Sequence, residues 1–424
     1  MSQDILRQSK KASDFRWITG IEDTFVGQVK PGKRRLDEYE LTQHYIFWKE
    51  DIDLIKESGF EMTRYGIPWY RVNPADGVFD WSWTDQVLDY LVNVNNISPI
   101  IDLMHYGTPL WLDNEFINPN YPSKVASYAR EFAARYKDII YYTPLNEPYI
   151  NAKFCGETGF WPPYLSGNSG FVQVMKNLCK GIIYTVREIK KVNPDSKMIH
   201  VEATGDYLTD DKSLKDRVKF EKERHFLMFD LITGRVNKNH YLYNYLKENG
   251  FTNEDFKWFQ VNRITIDIMG LNYYPELSVN RVFKDNDDIK TGLIWGGAKG
   301  LEKVLKEYYK RYKRPVVITE TSTNGTVNDR INWLKDSVGL VRDLRKEGIP
   351  LIGYTWWPLF DLVNWDYMEG HKPVEEYLEE MGLWSLEIQF NGVLKRVKTP
   401  VVEVFKQIAK GDKQEIVGDI ALKK

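Results

Sequence analysis

Two glutamates carry the chemistry that this chain is equipped to do. The first lies in Tyr141-Tyr142-Thr143-Pro144-Leu145-Asn146-Glu147-Pro148-Tyr149, where a β-branched and aromatic run reads as a short buried strand. Pro148 cannot continue a central strand, so Asn146 and Glu147 belong at that strand's C-terminal lip. The second follows the same grammar: Pro315-Val316-Val317-Ile318-Thr319-Glu320, then the polar Thr321-Ser322-Thr323-Asn324-Gly325. A lone glutamate at a strand end is ordinarily a solvated loop acid. Two of them, each closing a buried strand, are expected to face one site as a carboxylate pair.

Positioning such a pair takes a scaffold, and the chain repeats a strand–helix alternation. Strands are expected at 14–20, 60–65, 98–104, 139–143, 197–203, 266–272, 316–320 and 351–357. Helices are expected at 46–58, 83–96, 123–137, 171–192, 218–235, 241–249, 301–312 and 329–347, with a last one at 399–409 started by Pro400. Eight strands alternating with helices is the arithmetic of an α/β protein of the (β/α)8 TIM barrel class. No composition shift or Gly/Ser linker divides residues 1–424, so they read as a single domain with a polar tail at 411–424. Active sites of such barrels lie at the C-terminal ends of the strands. Those ends offer Glu22 and Asp23, Arg64, His105, Asn146 and Glu147, Glu202, Asn272 and Tyr274, Glu320, and Trp357. Acids, one cation, amides, an imidazole and aromatics are what hydrolysis of a polyol acetal requires.

Composition excludes several other classes. Lys plus Arg total 58 against 60 Asp plus Glu, a net charge of −2, which gives no electrostatic case for nucleic acid or an anionic membrane as partner. The basic run Lys30-Pro31-Gly32-Lys33-Arg34-Arg35 reads as a solvated loop. The aromatic share of 14% fits a carbohydrate site, whose sugar rings stack on aromatic faces, and fits a large barrel core equally well. Cys155 and Cys179 have neither metal spacing nor a disulfide framework, and the six histidines are scattered, so no metal is expected. Residues 1–7 lack an apolar signal core and no stretch approaches 18 apolar residues, which reads as a cytoplasmic protein.

Order and placement of several short motifs resemble glycoside hydrolase family 1, the retaining β-glycosidases in which Asn-Glu-Pro closes the fourth barrel strand and Ile-Thr-Glu the seventh. Arg64-Tyr65-Gly66-Ile67-Pro68-Trp69-Tyr70-Arg71-Val72 resembles that family's Arg-Phe-Ser-Ile-Ser-Trp-Pro-Arg-Ile segment, and Gly270-Leu271-Asn272-Tyr273-Tyr274 its Gly-Ile-Asn-Tyr-Tyr. Trp356-Trp357-Pro358-Leu359-Phe360-Asp361 and Leu394-Lys395-Arg396-Val397-Lys398 are similar to its closing segments. The resemblance implies Glu147 as acid/base, Glu320 as nucleophile, and Arg64 and Tyr274 as the groups supporting the nucleophile. It further implies a β-glycoside substrate, no cofactor, Asn146 at the sugar 2-hydroxyl, Asn272 in the site, and Trp357 with Trp365 as an aromatic floor.

The sequence departs from that family on the sugar side. His105-Tyr106-Gly107 stands where the family usually has His-Trp-Asp, with His105 still able to bind a hydroxyl. Glu22 and Asp23 stand where a glutamine is typical, as sugar contacts or loop caps, and Asn364 precedes Trp365 where a glutamate is common. An amide donates as well as accepts, so specificity there should differ. No phosphate clamp of the 6-phospho-sugar branch is seen, although Lys372 is near. Alternatives are a transglycosidase, with Trp161 in an acceptor subsite, and a non-hydrolytic sugar-binding relative.

Overall fold

The computed structural model describes residues 15–286 and 288–421, with side chains as far as 411. Eight parallel strands close into a barrel: β1 (Arg16–Gly20), β2 (Met62–Gly66), β3 (Ser98–Asp102), β4 (Tyr141–Thr143), β5 (Lys197–Ala203), β6 (Ile268–Asn272), β7 (Val316–Thr321) and β8 (Leu351–Trp356). Each pairs with the next, and β8 returns to β1. The main helices are α1 (His44–Glu57), α2 (Ser82–Asp89), α3 (Tyr121–Arg135), α4 (Gly167–Val192), α5 (Lys215–Ile232), α6 (Gly297–Tyr312), α7 (Val327–Lys346) and α8 (Pro400–Ala421). This is the (β/α)8 barrel that the alternation predicts.

Local chemistry explains the boundaries. Thr326 and Asp329 form a capping box that starts α7, which then buries Trp333, Leu334, Val338, Val341 and Leu344 at helical spacing. The helix expected at 83–96 passes from α2 into a π-helical turn, Tyr90–Val94. The helix expected at 241–249 is confined to Tyr243–Glu248, and a further helix, Asn253–Val261, follows behind a Thr252–Asp255 capping box. A hairpin of Val279–Asp285 and Asp288–Leu293, absent from the sequence reading, joins Asp206–Leu208 in a three-stranded sheet. The α8 backbone runs through most of the segment read as a polar tail. Residues 1–7, the Asp14 start of the first strand and the final 422–424 lie outside the described residues.

Two apolar layers hold the barrel. A large cluster joins the outer strand faces to the helices, and a smaller one takes residues from all eight strands: Ile18, Met62, Ile100, Tyr141, Ile199 and Val201, Ile268, Val317 and Ile352. Side chains alternate across a strand, so in β2 Met62 and Arg64 share the inner face while Tyr65 points out. There Tyr65 Oη meets His44 Nε2 at 2.6 Å, His44 Nδ1 meets Asp51 Oδ2 at 2.7 Å, and Arg396 Nε donates to Asp51 Oδ1 at 2.7 Å. This chain of buried groups ties α1 and the C-terminal hairpin (Trp384–Ile388 with Leu394–Lys398) to β2, and so fixes the strand that delivers Arg64.

Among the described residues no helix is long and apolar enough to cross a membrane. Cutting the ion chain tests its weight. Arg396→Met leaves the fully buried Asp51 carboxyl with His44 as its remaining partner and should cost about 3 kcal/mol in urea unfolding. Adding Asp51→Asn should recover part of that loss; full additivity of the two changes would mean that the pair is not coupled.

Candidate active site

Arg64 is the hub. Its β2 position pairs with Gly20 on one side and Ile100 on the other, and its side chain is wholly buried. One nitrogen, Nη1, donates to Glu320 Oε1, and the other, Nη2, to Asp102 Oδ2 and to Asn146 Oδ1 at 2.6 Å. The guanidinium carbon lies 4.6 Å from the centre of the Trp357 ring, and Gly20 makes room for that indole, because a Cβ there would collide with it. Burial works against the Arg64 charge, but Asp102 and Glu320 outweigh it and hold the pKa above its ordinary value.

Glu320 reaches this hub through an irregularity in β7. The register slips by one residue against β6 and against β8 between Ile318 and the strand end, the mark of an extra residue. Thr319 and Glu320 therefore both turn inward. Thr319 Oγ1 donates to Asn272 Oδ1 at 2.6 Å, and Glu320 accepts from Arg64 on Oε1 and from Tyr274 Oη on Oε2 at 2.8 Å.

Glu147 sits beyond β4 with φ 42 and ψ 61, a left-handed conformation uncommon for a non-glycine residue. Pro148 begins the short helix Pro148–Ala152 directly after it. The turn is pinned on both sides: Asn146 N donates to Met104 O at 3.0 Å, and Glu147 N to Val201 O at 3.1 Å. The Glu147 carboxyl accepts from Asn272 Nδ2 at 2.8 Å on Oε1 and from Tyr106 Oη on Oε2. Burial raises Glu147 above its ordinary range, opposed by the Tyr106 and Asn272 hydrogen bonds. Burial also pushes Glu320 up to about 7, opposed chiefly by Arg64, while Glu147 raises it further. The two carboxyls therefore titrate as a pair. A formal cation in contact stabilises a carboxylate more than neutral donors do, so the geometry favours Glu320 as the ionised member.

His105 faces three acids. Its Nδ1 lies 2.9 Å from Asp23 Oδ1 and 3.1 Å from Asp102 Oδ2, and its Nε2 3.6 Å from Glu22 Oε1. Burial lowers its pKa, but Asp23, Glu22 and Asp102 together raise it well above the ordinary value. Because Arg64 takes the oxygen of Asn146, the amide nitrogen is what meets Nε2, at 2.8 Å. Burial raises Asp23 to about 7, with His105 opposing, so Asp23 and His105 share their charge. Asp23, Asp102 and His105 could offer ligand atoms within 4.8 Å of one another. Arg64 already occupies Asp102, however, and a second cation there would meet a guanidinium.

Seven residues singled out from the sequence thus form one continuous network: Arg64, His105, Asn146, Glu147, Asn272, Tyr274 and Glu320. Trp357 lies against it, parallel to His105 at 5.8 Å and 11°. Glu22 closes its own loop, accepting from Thr24 N and Oγ1 on Oε1 and from Trp357 Nε1 on Oε2 at 2.8 Å. Glu202 accepts from the Tyr149 and Ala203 backbone amides. Asn364 caps the turn Trp365–Met368 through Asp366 N at 2.7 Å and donates to Glu379 Oε1. Trp365 packs on Tyr106 and Trp161, ring centres 5.6 and 4.9 Å away. Trp161, like Trp357, is fully buried. Sequence reasoning missed Asp102, Thr319, Glu379 and the role of the Tyr106 hydroxyl. Asp102 alone had a signal: it is the one charge in the apolar strand 98–104 and shares the inner face with Ile100.

Comparison with known proteins adds to this geometry. The sequence model described as glycosyl hydrolase family 1 matches residues 19–373. A 6-phospho-beta-glucosidase of Clostridium longisporum is 29% identical over 376 residues, covering 76% of each chain. Beta-glucosidase A of Thermotoga maritima is 27% identical over 364 residues, covering 78% of this chain and 80% of its own. Among solved structures, a beta-glucosidase from Thermotoga maritima in complex with deoxynojirimycin superposes with a TM-score of 0.80 at 22% identity, over 94% of this chain and 98% of that one.

The hub makes a pH-dependent demand on stability. Arg64→Met should cost about 3–5 kcal/mol at pH 8, where the buried Glu320 carboxylate loses the cation that faces it. At pH 5, below the value near 7 at which Glu320 titrates, that carboxyl takes up a proton and the cost should shrink. Urea unfolding of both proteins at the two pH values checks this; an equal loss at both would mean that Arg64 acts by packing alone.

Proposed function

The chain belongs to glycosyl hydrolase family 1, and on that premise we propose that Glu320 is the nucleophile and Glu147 the acid/base of its reaction. The protein is a retaining glycosidase that hydrolyses β-O-glycosidic bonds by double displacement. One observation carries the division of roles: Glu320 is gripped by a cation and a phenol, whereas Glu147 touches only neutral donors.

In the first step a Glu320 oxygen attacks the anomeric carbon as the bond to the leaving oxygen breaks, and Glu147 passes its proton to that oxygen. Arg64 and Tyr274 orient the attacking carboxylate. In the second step Glu147, now ionised, takes a proton from water; the water oxygen bonds to the anomeric carbon and Glu320 departs as a carboxylate. Two inversions leave the configuration unchanged. To Asn146, adjacent in sequence to Glu147, we assign the 2-hydroxyl, to His105 a neighbouring hydroxyl, and to Trp357 and Trp365 the ring face.

The relatives include both beta-glucosidases and 6-phospho-beta-glucosidases. We favour a non-phosphorylated glycone. Asn364 is bonded to Glu379, whose carboxylate would repel a phosphate dianion brought to this acidic edge; burial, with a smaller contribution from Glu379, raises the carboxyls of the neighbouring Glu38 and Glu276. The two cysteines are buried free thiols, which fits a reducing compartment, and we place the protein in the cytoplasm.

Glu320→Gly should abolish hydrolysis, and azide should then restore turnover of an activated aryl β-glycoside, giving a glycosyl azide of inverted configuration; no rescue, or a retained product, removes Glu320 from the nucleophile role. Glu147→Ala should slow substrates with poor leaving groups by about 10²–10⁴-fold and activated aryl substrates far less. An aryl β-glucoside should be turned over in preference to its 6-phosphate, and the reverse order would refute the acidic-edge reading.

A further inference from the structure

Each carboxyl of the pair has its own phenol: Tyr274 on Glu320 and Tyr106 on Glu147. Tyr274 belongs to the machinery already described. Tyr106 does not, and the fold goes to some length to hold it. Its backbone has φ 77, in the left-handed region, a conformation that persists only when its surroundings enforce it. Asn151 Nδ2 donates to Tyr106 O at 3.2 Å, and the Tyr106 backbone makes a strand-like bridge with Phe25. Gly107 allows that approach, since a Cβ there would collide with the Phe25 carbonyl. The ring is wedged between Trp161, 4.8 Å away, and Trp365. Packing of this kind asks for an aromatic ring and is indifferent to a hydroxyl. The hydroxyl, 2% exposed as part of the residue, is spent on Glu147 Oε2.

We propose that Tyr106 is the positioning residue of the acid/base, locking the Glu147 carboxyl plane together with Asn272. This rests on Glu147 being the acid/base. With Asn272 on Oε1 and Tyr106 on Oε2, the carboxyl cannot spin about its terminal bond. Each oxygen keeps a second lone pair, on which the proton is held before it goes to the leaving group and to which it returns from water. A donor aimed at the carboxylate also favours the ionised form, countering the burial of Glu147. The other titratable groups facing it are His105 beside Tyr106, Glu202 on β5, Tyr274 beyond β6 and Glu320 on β7. Glu202 and Glu320 hinder its ionisation and His105 helps it. Burial and the nearby Glu147 hold Tyr106 itself well above the ordinary phenol range, so its own ionisation does not intrude on the profile.

The test is the pH dependence of kcat/KM for the full-length Tyr106→Phe protein on two aryl or alkyl β-glycosides, one with a good and one with a poor leaving group. Loss of the donor disfavours the carboxylate, so the alkaline limb should move up by about one pH unit. At the optimum, turnover of the poor leaving group should fall about 10-fold and that of the activated substrate by less than about 3-fold. The limb is a pKa and does not depend on how much of the variant folds. In the Glu147→Ala background, Tyr106→Phe should cause no further loss. An unmoved limb, equal losses on both substrates, or an added loss in the Glu147→Ala background would overturn the proposal, the last by showing that Tyr106 touches the sugar directly. If Glu147→Ala alone fails to discriminate between leaving groups, it is the acid/base assignment that falls, a result read independently of Tyr106.

Discussion

A guanidinium with no water around it is the constraint from which the site follows. Arg64 sits inside the barrel at the level where the apolar filling ends, and a buried cation must be met by acids and carbonyl-type acceptors or not be there at all. Its partners come from three other strands or their ends: Asp102 on β3, Asn146 beyond β4 and Glu320 on β7. The barrel brings these together because the inner faces of its strands converge on one C-terminal mouth. One charge thus fixes the orientation of Glu320, of Asn146 and, through Asp102, of His105. The outward neighbour Tyr65 extends the arrangement into the His44–Asp51–Arg396 chain. Position in the active site and anchorage to the C-terminal hairpin are thereby two ends of one strand.

Much of this was legible before any coordinate. Strand existence, number and order followed from apolar runs that end in polar residues, and the catalytic candidates from the ends of those runs. What was not legible had specific causes. The hairpin after β6 has mostly exposed residues, among them Phe283, Ile289 and Leu293, so its alternation is too weak to announce two strands. Nothing in Val316-Val317-Ile318-Thr319-Glu320 reveals the extra residue that turns both Thr319 and Glu320 inward, because that is a property of register against β6 and β8 and not of the strand itself. Asp102 could have been found by alternation from Ile100. Glu379 could not, since only the pairing of Leu362 with Glu379 carries it to Asn364.

The departures from the family pattern are local and are answered locally. Where an amide replaces an acid at Asn364, a carboxylate arrives from Glu379 on the neighbouring strand. The acids in place of the first-strand glutamine are absorbed in different ways: Glu22 into Thr24 and Trp357, Asp23 into His105. Charge is conserved near the sugar edge while the atoms offering it move. Under the roles proposed above, such a rearrangement would alter which hydroxyls are held and would leave Glu147 and Glu320 alone. Substrate choice and chemistry are separable for that reason: the first is written on loops, the second on strand ends that the barrel fixes.

Burial alone would make both glutamates weak acids and deprive the site of a nucleophile. The molecule counters this differently at the two positions. Glu320 receives a full positive charge along with the Tyr274 phenol, the stronger device, which suits the nucleophile role proposed for it. Glu147 receives a phenol and an amide, which stabilise the anion without committing to it, and this suits the acid/base role proposed for it. Four donors surround two carboxyls, and only the one that carries charge separates their roles. Had Arg64 faced Glu147 instead, the same donors would have produced an acid that could not hold its proton beside a nucleophile that could not lose one.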